Sequence, residues 1–224
     1  MTISTASTPA RSEARLPVPA LVAIAATGPL AVAVLRAVLP TFTVDDAATV
    51  ATKVAAAPGA QAAVLWLTYL ALLTLPLGVL VVSRAAIAAR PVLGTVAAVV
   101  AWLGFTSLFM IVAVDQVALA GREIGTGPTA AMMDVVAGLS IVSVASTVFV
   151  AGHILATVLL GFALWRAVPW WAAVSLAISQ PLHLVFAVIV PNRALDALAW
   201  CLTAVGFAVA ATVRGPRLGS RSGQ

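Results

Sequence analysis

Apolar positions along this chain fall into six long runs, not into the alternation of half-buried strands. The runs cover about 17–39, 61–83, 91–120, 134–165, 170–190 and 194–213. Each reaches the ~20 residues needed to cross ~30 Å of hydrocarbon. Polar residues and helix breakers punctuate them. Pro17 and Pro19 suit a helix start, because a first-turn proline forfeits no intrahelical hydrogen bond. Pro40 closes the first run, Arg84 and Arg90 follow the second, and Gly121 caps the third. The fourth starts between Pro128 and Val135 and ends at Trp165-Arg166, and Pro191-Asn192 separates the last two. The pattern predicts an all-α, polytopic membrane protein: a bundle of six transmembrane helices at 17–213. A polar cytoplasmic N-terminus (1–16) precedes it, and a Gly/Ser-rich tail (214–224), expected to be disordered, follows. The first run is too long for a signal-peptide core of about 7–15 residues and is expected to be retained as a span.

Between the first two runs, residues 41–59 show a different period. Val44, Ala47, Ala48, Ala51 and Val54 recur at helical spacing, while Asp45, Asp46, Thr49 and Lys53 take the other face. A short amphipathic helix is expected there, lying on the outer membrane surface or covering the bundle mouth. Residues 121–128 read as a flexible turn.

Composition confirms the class. The chain is 62% hydrophobic and 8% charged, with mean hydropathy +1.13. Soluble domains carry about 25% charged residues, so a water-exposed surface cannot be built from this sequence. The net charge of +5 does not imply nucleic acid, since the arginines edge apolar runs and form no basic stripe. Their distribution sets topology instead. Arg11, Arg15, Arg84, Arg90, Arg166, Arg214, Arg217 and Arg221 fall on one side; Arg36, Lys53, Arg122 and Arg193 fall on the other. The positive-inside rule then places both termini in the cytoplasm of a cell membrane. A composition rich in Ala, Val and Arg suggests high-GC coding and a bacterial source. Cys201 is the one cysteine, so no intrachain disulfide forms.

Ionisable groups inside a bilayer are costly, and each calls for a partner or a function. The histidines are two, His153 and His183. His153 precedes Arg166, and His183 follows Trp170, by the same interval, about 20 Å of helix from the inner edge. A short Arg166–Trp170 connection makes their helices neighbours, so the two rings are expected level with each other in the outer half of the membrane. Gln180 shares the helical face of His183. Tyr69 falls at similar depth, and Arg36 and Asp115 lie nearer the outer interface, where they can pair. His153, His183, Gln180, Tyr69, Asp115 and Arg36 are therefore the candidate ligand-binding residues. The same histidines are candidate metal ligands, and two imidazoles can also ligate haem axially. The competing account is an interhelical hydrogen bond used for packing.

There is no Walker loop, no G-x-S-x-G, no H-E-x-x-H and no glutamate within a span, so nothing supports an enzyme. Leu75-Pro76-Leu77 and Gln180-Pro181-Leu182 give a faint echo between halves, too little to establish an inverted repeat. Gly152-His153, the run from Leu160 to Arg166, Pro169-Trp170, Gln180-Pro181-Leu182-His183, and Leu195-Asp196 with Ala199-Trp200 and Val205-Gly206-Phe207 resemble a group of bacterial six-helix integral membrane proteins without an assigned activity. The resemblance spans the last third of the chain and implies topology alone. The leading expectation is a protein that binds a small ligand, a lipid or a membrane-protein partner in an outward-facing polar pocket. A small-solute or proton-coupled transporter and a haem-binding redox protein are the alternatives.

Overall fold

The computed structural model describes residues 16–213. The polar N-terminal segment and the tail predicted to be disordered, with the arginines at 11, 15, 214, 217 and 221, lie outside the described residues, apart from Leu16. The described chain is helical throughout, and none of it forms a strand. In order the helices are α1 (Val18–Val38), α2 (Ala47–Ala56), α3 (Pro58–Ala89), α4 (Pro91–Thr106), α5 (Leu108–Ala120), α6 (Thr126–Ala137), α7 (Ser140–Leu164), α8 (Trp170–Leu184) and α9 (Arg193–Ala211). A 3-10 turn, Gly121–Ile124, follows α5, and a π turn, Val185–Ile189, extends α8.

Six stretches are long and apolar enough to cross a membrane: α1, α3, α4 with α5, α7, α8 with its π turn, and α9. Only 22–50% of the residues in their apolar windows are buried within the chain. The rest, including Leu73, Leu77, Leu80, Val96, Leu103, Leu155 and Phe162, point outward, an apolar belt that only lipid can cover. This is the architecture of a multi-pass integral membrane protein.

Each span packs against its chain neighbours, and α1 packs on α9, so the six close into a ring. Small residues set its tightness. A Cβ on Gly104 of α4 would stand 2.6 Å from the carbonyl carbon of Gly152 on α7, and one on Gly152 would stand 2.7 Å from Gly104 Cα. Only two glycines permit that backbone approach, which is how helices gain contact where lipid is as apolar as leucine.

The element boundaries have local causes. Pro58 and Pro91 open α3 and α4 in the first turn. The third span breaks at Ser107, where Thr106 and Ser107 hydroxyls donate to the carbonyls of Trp102 (2.6 Å) and Leu103 (2.8 Å) one turn back. The fourth run begins later than expected: α6 is a separate helix, because the chain is extended at Leu139 (ψ 130°) before α7 starts. The second span is longer than expected, reaching Ala89 beyond Arg84.

The amphipathic segment at 41–59 contains the helix α2. Asp46 caps it by accepting from the Thr49 amide at 2.7 Å. Ala51 and Val54 are buried against Ala118, Ala130 and Met133 of α5 and α6, whereas Val44, expected on the same face, is exposed. Thr129 fastens α6 by donating to the carbonyls of Gly121 and Gly125, and Gly125 turns the chain with φ +97°. Together α2, the 3-10 turn and α6 form a cap over one end of the ring. At the opposite end Arg90 and Arg166, from the α3–α4 and α7–α8 turns, line a common recess.

Candidate functional site

Below the cap, between α1, α3, α5, α7 and α8, lies a cavity of about 630 Å3. That is within the ~300–1,000 Å3 usual for small-molecule sites. Most of its wall is aliphatic. Its polar end is built by three helix ends that the sequence brings together.

Asn192 caps α9, its side chain accepting from the Leu195 amide at 3.1 Å. That cap places Asp196 in the first turn, facing the last turn of α1 and the end of α8. One oxygen of Asp196 accepts from Arg36 Nε and the other meets His183 Nδ1. Arg36 also donates through Nη2 to Thr43 Oγ1 at 2.9 Å. One turn on from Asp196, Trp200 stands beside His183, with ring centroids 5.4 Å apart. Asp196 is 2% exposed, Arg36 16% and His183 14%, so this is a buried ion pair with a histidine attached.

His153 enters from α7. Its ring stacks on Phe149 (4.4 Å, 28°) and lies nearly parallel to Trp200 (6.1 Å, 17°). Its centroid is 5.6 Å from that of His183. Both histidines line the cavity.

Hydrogen-bond partners fix where the ring protons sit. His153 Nδ1 faces the Phe149 carbonyl, which can only accept, so Nδ1 carries the proton. Its Nε2 is buried and has no partner. His183 Nδ1 faces the Asp196 carboxylate, already engaged by Arg36 and also an acceptor. Trp200 Nε1 lies 3.2 Å from the same Nδ1. A single ring nitrogen cannot both donate to Asp196 and accept from Trp200, and the carboxylate contact decides it. This leaves His153 Nε2 as a buried acceptor without a donor, with the His183 ring beside it at the end of an apolar cavity. The arrangement of carboxylate, histidine and free Nε2 is one that orients imidazole for a proton donor or a metal. Among the described residues no group of three or more metal-ligating side chains is gathered.

The remaining candidates separate. Arg36 and Asp115 both line the cavity, yet they do not pair. Arg36 goes to Asp196, because α1 packs on α9, and Asp115 receives Gln61 Nε2 at 3.4 Å. Gln180 is fully buried but donates to Thr203 Oγ1 at 2.7 Å, tying α8 to α9, and does not line the cavity. Tyr69 is 55% exposed and meets Trp66 edge-on at 6.2 Å. It occupies the outer face of α3, where its neighbour Thr68 faces inward. Beneath the histidines, Leu75, Phe105, Leu160, Leu176 and Phe207 pack with at most 1% exposure, and Thr157, Ser179 and the Gln180–Thr203 pair are closed into the same layer.

Asp196, Trp200 and Phe149 were not among the residues singled out by sequence. The signal for two of them was present: Asn192 after Pro191 marks a helix start, and Asp196 and Trp200 follow at one-turn spacing on one face. No protein-family model, curated protein or solved structure matches the chain.

Proposed function

We propose that this membrane protein binds a small ligand in the capped cavity, with His153 and His183 receiving its polar end. The observation that carries this reading is His153 Nε2, buried without a donor in the wall of a ligand-sized cavity, beside a His183 ring held in register by Asp196 and Arg36. A histidine used only for packing finds a partner for each ring nitrogen, since an unmet acceptor buried in protein costs about 1–3 kcal/mol. The closed packing beneath the histidines favours binding over a solute path. Positive-inside counting supports a cell-membrane setting with both termini cytoplasmic and the cavity opening outward.

Native mass spectrometry of the protein released from its membrane tests the reading. The wild type is expected to carry a small-molecule adduct, and His153→Gln or His183→Gln to lower its occupancy at least ten-fold with the fold retained. Equal occupancy in all three proteins, or no adduct in any, contradicts it. A Soret band in the purified protein would instead reassign the pair to haem.

A further inference from the structure

The charges around the cavity narrow what the ligand is. Arg36 is the one basic side chain in its lining, against Asp45, Asp46, Asp115 and Asp134. Arg36 is already spent on Asp196. Lys53 and Arg193 stand over the Phe42 ring (5.2 and 4.5 Å), and neither lines the cavity. Of the aspartates, Asp45 is tied to Lys53 at 2.7 Å and Asp46 caps α2. Asp115 and Asp134 have no salt bridge among the described residues, and the one side-chain bond to Asp115 is the 3.4 Å contact from Gln61.

One unpartnered buried atom of the lining leans the same way: His153, 1% exposed, presents Nε2 without a donor. The cavity is rich in acceptors and poor in donors. A carboxylate or phosphate ligand would meet four aspartates and no free cation. A ligand with N–H donors and a positive charge satisfies His153 Nε2 and the unpaired aspartates.

Building on the ligand-binding reading above, we infer that the occupant is an organic amine, its ammonium group drawn to the acceptor-rich lining to which Asp115 and the histidine pair contribute, and its apolar body to the aliphatic wall. Three probes with one ten-carbon tail test this: decylamine, decanol and decanoate, titrated against the full chain in nanodiscs with thermal stability as the readout. Comparing wild type with Asp115→Asn for each probe cancels its partitioning into lipid. Decylamine is expected to bind at least ten-fold more weakly to Asp115→Asn, with decanol and decanoate changed less than two-fold. His153→Gln, which removes the other acceptor, provides a second reading should Asp115→Asn fail to fold, with decylamine binding expected to weaken at least ten-fold there. Decanol or decanoate binding the wild-type cavity as tightly as decylamine, with the His153→Gln variant losing that binding, overturns the amine and leaves the site standing. No saturable binding of any probe overturns both.

Discussion

Asp196 is the residue on which the site's geometry turns. Its two oxygens join three helices, receiving Arg36 from α1 and His183 from α8 while it rides on α9. Breaking a buried pair from one side leaves the other charge without a partner, at a cost of about 3–5 kcal/mol. Thr43 still receives Arg36, so Asp196→Asn is expected at the lower end, about 3 kcal/mol, by reversible unfolding in mixed micelles. A loss below about 0.5 kcal/mol, the scale of an exposed pair, would contradict the assignment. The nearness of the histidines was legible in the sequence because depth follows from counting residues along two antiparallel helices. Partner choice was not. Arg36 and Asp115 lie close enough in depth to pair, yet Arg36 meets Asp196, and Tyr69 shares the depth of the histidines but faces outward. Depth fixes one coordinate; the face of a helix turns 100° with each residue, and an all-apolar span gives no stripe to orient it.

At the scale of the element, the informative piece is the cap. Its helix α2 was readable because a polar loop restores the amphipathic contrast that the spans lack. The separate α6 was not, since its last residues run into the apolar stretch of α7 and only the extended Leu139 divides them. The α1–α2 loop is held by Asp45, which accepts from Lys53 Nζ and the Phe42 amide, each at 2.7 Å. Burial raises the pKa of Asp45, but these two hydrogen bonds and the Lys53 charge outweigh it and hold the carboxyl below its ordinary 3.8. A depressed folded-state pKa gives stability that is present above the ordinary value and lost as pH falls through the folded one. The cap is therefore expected to loosen below about pH 4. Melting curves from pH 3 to 7 should show the wild type losing its advantage over Asp45→Asn across that acidic range. A gap between the two proteins that is constant with pH would contradict the assignment.

For the whole molecule, six apolar runs were sufficient to predict six spans, since a helix is the structure that satisfies every backbone group within a single segment in hydrocarbon. Ring closure through α1 and α9 was invisible, because contact between chain-distant apolar helices leaves no periodic mark. Orientation rests on loop arginines, and a reporter fused after Gln224 is expected to be active only in the cytoplasm; activity on the far side would invert the account. The central claim is that the two imidazoles, each with a proton on Nδ1, receive a ligand through Nε2. With only two histidines in 224 residues, nitrogen-15 labelling of histidine gives four ring signals without overlap. At pH 9, where imidazole has lost its second proton, both rings are expected to show a protonated Nδ1 and a bare Nε2, and both Nε2 signals to move when decylamine is added. Rings protonated on Nε2, or Nε2 signals indifferent to every cavity probe, would contradict it.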